Sequence, residues 1–289
     1  MPSKLLLSLL LIARLVAACV TTTAVSPTTD ATKGHPFLYR IEKTGTQDSF
    51  LFGTIHAFVD ARKELPTTVW TTLSGSRCFI METNSDEISM AAAKDLYFLP
   101  EGERLETQVK PATWRGLTER LPGIPAARLS RMRPWVAMVS MLSTFKPPLP
   151  AMDHELEASA RAKGLRIHYL ESGTDHLTAV ADSVTAKDLD EAVTEAANIP
   201  PFYQKLAGAY RNGDARSLEK YLFEDPLAFD GRPEDRTRLL DDRNRAWLPK
   251  ITGAGTNDSC FIAVGAGHLY GEAGLIRLLS AQGYKVSRM

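Results

Sequence analysis

The sequence predicts an α/β domain: a mainly parallel or mixed central sheet with its functional groups along one edge, and a helical insertion in the middle. Three observations predict this. Short apolar runs at 49–52, 78–81, 166–170 and 261–264 read as buried strands, and a titratable side chain closes or soon follows each, namely His56, Glu82, Glu171 and His268. Helical spacing alternates with these runs, while 87–150 and 186–252 read as mostly helical. Finally, Gly53-Thr-Ile-His56 recurs as Gly265-Ala-Gly-His268, each copy just past an apolar strand. In parallel α/β sheets, ligands bind where strands release the chain.

The chain opens with Lys4 and a short apolar run, 5–12, which reads as the core of an export signal and is too short to span a bilayer comfortably. Val16-Ala-Ala-Cys19 follows and resembles a bacterial lipobox. The expectation is removal of 1–18 and lipidation of Cys19; the alternative is ordinary cleavage beside an incidental cysteine. By likeness to known sorting patterns, Val20 rather than Asp after the cysteine favours the outer membrane, with the protein facing the periplasm. Residues 19–35, rich in Thr, Ser, Ala and Pro, read as a flexible tether. Residues 36–289 are then one domain.

In that domain, 37–42 and 49–52 flank a Gly-containing polar link and read as a hairpin. Residues 65–75 carry Val69, Trp70 and Leu73 on one helical face. The strand 78–81 ends on Glu82. Helices are expected over 111–121, over 132–145 with Pro134 interrupting the start, and over 153–163 with Gly164 as C-cap. The strand 166–170 ends on Glu171. Within 186–252, breaks are expected at Pro200-Pro201 and around 226–233. A last helix over 275–279 and a strand at 284–287 close the chain.

Cys78 and Cys260 open near-identical strands, Cys-Phe-Ile in both. An exported protein permits a disulfide. With the strand before His56 placed between them, the two cysteines would stand near 10 Å apart, beyond the about 7 Å a disulfide spans, so two buried thiols are the expectation and the disulfide its alternative. Lys+Arg and Asp+Glu both number 34, and no basic stripe appears, which removes the electrostatic case for nucleic acid. There is no recognisable serine or cysteine nucleophile elbow, no Walker or dinucleotide fingerprint, and no His-Glu-x-x-His zinc-protease spacing.

Two imidazoles and a carboxylate, His56, His268 and Glu82, make an open-sided ligand set for a divalent ion; all N and O donors suit Mn, Co or Zn. Glu82 or Glu171 could serve as general base. Arg243 stays protonated, so its natural place is on a substrate carboxylate or an oxyanion. Tyr270 joins His56 and His268 as a conceivable axial haem ligand. His35, His154, His168 and His176 lie in no motif and read as structural or surface.

These residues resemble the TraB/PrgY/GumN family, which includes the ectodomain of Tiki proteases. The resemblance rests on Gly53-Thr-Ile-His56, Glu82 in Phe79-Ile-Met-Glu82, Arg243-Asn244 and Gly265-Ala-Gly-His268, and on the tail from Gly267 to Val286. Pro134-Trp135, Ala151-Met-Asp153 and Leu170-Glu171 match as well, so it covers about residues 36–288. It implies a wider α/β superfamily with erythromycin-esterase-like and haem-binding members. For Tiki-type members it implies metal-dependent peptide hydrolysis, with Glu82, Glu171 and Arg243 catalytic, Asn244 and Asp153 touching substrate, and a peptide as partner. A binding protein that holds a peptide or haem in the same cleft is the second expectation.

Overall fold

The computed structural model describes residues 36–84, 93–225, 227, 233–256 and 258–289; the expected leader, the tether, Cys19 and His35 lie outside the described residues. The opening hairpin folds as β1 (Leu38–Glu42) and β2 (Ser49–Thr54), paired antiparallel. Four further strands complete the sheet: β3 (Cys78–Thr83), β4 (Arg166–Glu171), β5 (Cys260–Gly265) and β6 (Lys285–Arg288). Their order is β4-β3-β5-β2-β1-β6. Strands β4, β3, β5 and β2 are mutually parallel, whereas β1 runs antiparallel to both β2 and β6. The four parallel strands therefore release the chain at one common edge, the edge that carries His56, Glu82, Glu171 and His268.

Strands β3 and β5 are buried at every position, as expected for near-continuous apolar strands covered on both faces. Phe261 stands between Phe52 and Phe79, with ring centroids 5.7 and 6.2 Å away. The placing of the His56 strand between the two cysteine strands is overturned. β3 and β5 are direct neighbours, with Cys78 opposite Cys260 and Cα atoms 4.6 Å apart, and the two residues form a disulfide. The matching Cys-Phe-Ile starts are in register: Cys78, Phe79 and Ile80 pair with Cys260, Phe261 and Ile262.

Helices α1 (Thr67–Gly75) and α4 (Met152–Ala162) pack on each other, and α4 rests on β3 and β4. Between them come α2 (Pro111–Arg120) and α3 (Pro134–Ser143). Pro134 does not interrupt α3 but begins it, because the first helical position needs no N–H; Arg133 before it is extended, as a residue preceding proline must be. Gly164 ends the α4 turn at φ +71°, a conformation that costs glycine little. After β4 follow α5 (Gly173–Ala181), α6 (Ala186–Thr194), α7 (Ile199–Arg211) and α8 (Ala215–Phe223). Pro200 and Pro201 sit in the first turn of α7, so they start a helix where a break was expected. Most of the expected break around 226–233 lies outside the described residues.

A π-helical turn, Thr237–Asp241, leads into α9 (Asp242–Gly255), which packs against β4, β5 and α10 (Leu275–Ala281). Such turns recur at functional sites, and this one directly precedes Arg243. No helix among the described residues is long and apolar enough to cross a membrane.

Candidate functional site

The two Gly-x-x-His segments lie side by side because β2 and β5 are parallel neighbours in register, with Gly53 opposite Val264 and Thr54 opposite Gly265. A Cβ at Gly53 would stand 2.5 Å from Leu269 Cδ1 and 3.3 Å from the Ala266 backbone. Glycine is thus what allows the end of β2 to meet the turn Ala266–His268.

Both histidines are buried, His268 completely. Each is held through Nδ1. Asp153 takes the His56 Nδ1 and, through its other oxygen, the Thr54 hydroxyl at 2.9 Å. A carboxylate only accepts, so His56 carries its proton on Nδ1; its Nε2 is buried with no hydrogen-bond partner. Asn244 donates both amide hydrogens to carbonyls, of His268 at 3.1 Å and Ala273 at 2.9 Å. Its carbonyl oxygen is left to accept from His268 Nδ1 at 2.7 Å. His268 Nε2 is therefore a lone pair, 3.3 Å from Arg243 Nη1 and 3.7 Å from Glu82 Oε1. Burial pushes His268 down to about 3, so the ring is neutral at physiological pH. Its face lies 4.4 Å from the Trp247 ring, measured between centroids.

Arg243 sits between the carboxylates. Its Nη2 donates to Glu82 Oε2 at 2.9 Å and to Glu171 Oε1 at 2.7 Å, and its Nε to Glu171 Oε2 at 3.0 Å. Nη1 donates to the Leu239 carbonyl of the π-helical turn at 2.7 Å, and the guanidinium lies 4.5 Å from the Trp247 ring centroid. Burial alone would raise Glu171, but Arg243 and the His176 hydrogen bond hold it at about 2. Burial likewise opposes the Glu82 charge, and the neighbouring His268 and Arg243 keep that carboxyl below its ordinary value. With His268 neutral, the guanidinium supplies most of this, helped by the Gly265 N–H at 2.7 Å on Glu82 Oε1.

The structure brings His56, Glu82, Glu171, Arg243 and His268 to one sheet edge but gives several of them other places than expected. Asp153 and Asn244 are each 1% exposed and bond the Nδ1 atoms of His56 and His268, so here they orient the two rings. Arg243 is engaged at every nitrogen, as the internal counter-ion of two carboxylates. Glu171, held at about 2 and clasped by two guanidinium nitrogens, is a poor general base, since an effective base has its pKa near the working pH. Tyr270 spends its hydroxyl on Tyr39 at 2.8 Å.

His176, read above as structural or surface, belongs to the site. Ser172 caps α5 and turns the helix so that His176 Nδ1 lies 2.8 Å from Glu171 Oε1. Its signal in the sequence was only a helical start directly after a strand-end carboxylate.

Among the described residues, the one group of three potential ligands whose donor atoms all lie within 4.8 Å of one another is Glu82, Glu171 and His176, not His56, Glu82 and His268. Arg243 already sits against all three of that group. A cation there would compete with a fixed guanidinium. At His56, by contrast, Nε2 is buried with no partner, while His268 Nε2 accepts from Arg243 Nη1 at 3.3 Å. Both rings are oriented from behind by oxygens, as metal-ligating histidines are. His56 Nε2, His268 Nε2 and Glu82 are the N and O donors that would hold a divalent ion, with Asp153 and Asn244 behind the rings; Arg243 reaches this set too, at Glu82 Oε2 and His268 Nε2, and would have to shift.

No curated protein and no solved structure gives a significant match. The profile of the TraB/PrgY/gumN family matches residues 37–288, nearly the whole described domain and all of the site, and the chain belongs to that family.

Proposed function

We propose that this protein is a metal-dependent hydrolase of the bacterial cell envelope, acting on peptides. One observation carries the reading: two buried histidines, each locked through Nδ1 by Asp153 or Asn244, present their Nε2 atoms at the edge that also holds an ionised Glu82. Such an ion, when bound, lowers the pKa of a water and polarises a carbonyl. Everything else is done by the chain. Asp153 and Asn244 fix the rings, Arg243 keeps Glu82 and Glu171 charged, and Trp247 covers one face of His268.

In this reading the lipid on Cys19 anchors the domain to the outer membrane, facing the periplasm, and 1–18 are removed. A peptide is the partner. The test is cleavage of a peptide library by the purified protein, with chelator and with Mn, Co or Zn restored. Cleavage that stops with chelator and returns with metal supports the proposal. Cleavage indifferent to chelator, or none with any of the three metals, refutes it.

A further inference from the structure

Receiving a carboxylate, the place expected of Arg243, is closed to it, because its nitrogens are spent on Glu82, Glu171 and the Leu239 carbonyl. A second arginine on the same helical run has its donors unspent. The turn Pro233–Arg236, the π-helical turn and α9 follow one another without a break. They run inward to Gly255, whose carbonyl accepts from the Gln47 N–H just before β2 begins, at the opposite edge of the sheet. Arg236 precedes Arg243 by seven residues, which places it about 10 Å further out along the helix, beyond the edge that carries the site.

The helix lies against the segment that carries His268. A Cβ at Gly267 would meet Leu240 Cδ2 at 3.6 Å, and one at Gly271 would stand 2.1 Å from Arg236 Nη2. Glycine at 271, with φ +86°, thus lets the guanidinium lie on the backbone three residues past His268. The guanidinium also lies 4.2 Å from the Phe223 ring centroid, which holds it in place. Yet it makes no hydrogen bond among the described residues. Nε is buried without a partner, and Asp241, the only acid among the described residues within 4.0 Å, comes no closer than that. The side chain is 27% exposed, so a ligand can reach its outer end. A guanidinium that is oriented, half-buried and unpaired is matched by the planar, two-oxygen face of a carboxylate.

We propose that Arg236 receives a carboxylate of the peptide, either its C-terminus or an acidic side chain. At about 10 Å from Arg243, that carboxylate lies about three extended residues from the group at the metal-type site. The inference rests on the peptide reading above and narrows its substrates to peptides with a free acid group.

The test is calorimetric titration of the metal-free protein, so that binding is read apart from turnover. The probes are acetyl-trialanine, its C-terminal amide, and the same amide with one alanine replaced by glutamate. Acetyl-trialanine or the glutamate-containing amide should bind about tenfold tighter than the neutral amide, because the neutral amide lacks the charge-assisted bonds. Which of the two does so tells the C-terminus from the acidic side chain. Arg236→Gln should bring the acid down to the affinity of the neutral amide and leave the latter unchanged, and Arg236→Lys should keep part of the preference. No binding by either acid, neither acid exceeding the neutral amide, or a preference that survives Arg236→Gln would overturn the proposal. A preference that holds while the library assay shows no cleavage would count against the hydrolase reading alone.

Discussion

Asn244 fixes the tautomer of His268. Its amide nitrogen is spent on two carbonyls, which forces its oxygen toward His268 Nδ1 at 2.7 Å. The ring then has a lone pair on Nε2 and no choice in the matter. Replacing Asn244 by Leu removes this constraint. Metal affinity is expected to fall by about 10–100-fold. Calorimetric titration with Mn, Co and Zn would measure it; unchanged affinity in the folded variant would mean that the tautomer is irrelevant to binding.

Acid should destabilise the protein through two groups with the same sign. His268 is lowered from 6.5 to about 3, so between these values the unfolded chain takes up a proton that the folded chain refuses. Stability therefore falls as pH drops through that window. Glu171 is lowered from 4.5 to about 2, and its contribution is lost as pH falls between those two values. Denaturant unfolding from pH 7 to 3 should show the loss, amounting to a few kcal/mol. His268→Gln should flatten the part between 6.5 and 4.5, and a profile identical to wild type would count against the buried neutral ring.

Arg243 should matter for stability more than any other charged residue. Arg243→Met leaves Glu82 and Glu171 buried without their counter-ion, which costs about 3–5 kcal/mol. Arg243→Lys should recover only part, because one ammonium cannot reproduce the forked contacts to both carboxylates. Urea unfolding of both variants measures this; a loss below about 1 kcal/mol in Arg243→Met would contradict the internal counter-ion role.

The Cys78–Cys260 bond closes a loop with a sequence separation of 182. Reduction, or Cys78→Ser with Cys260→Ser, should cost about 2–5 kcal/mol, with the entropy of so long a loop favouring the upper part. Thiol titration under denaturing conditions without reductant should find neither cysteine free.

The fold was legible in the sequence because its strands announce themselves. Apolar runs closed by His56, Glu82, Glu171 and His268 gave both the strands and the shared edge. The sheet order was not legible. A parallel crossover can return on either side of a strand, and nothing in the sequence supported placing β2 between β3 and β5. The better clue was the twin Cys-Phe-Ile start, which the structure pairs residue by residue. His176 was hidden for another reason: it reaches the site from a helix, and no spacing rule links a helix residue to the far side of a guanidinium. Asp153 and Asn244 were noticed, but residue type alone did not tell that each would hold a histidine.

The most direct measurement is isothermal titration of Mn, Co and Zn into wild type, His56→Ala and His268→Ala, with the melting midpoint of each metal-free protein recorded alongside. The account predicts that wild type binds at least one of these ions and that both variants lose binding. His56→Ala takes one partner from the buried Asp153 carboxylate and should lower the metal-free midpoint, so binding is compared at a temperature where all three proteins are folded. Equal affinity in all three proteins would show that the paired Gly-x-x-His segments are scaffold and not a metal site.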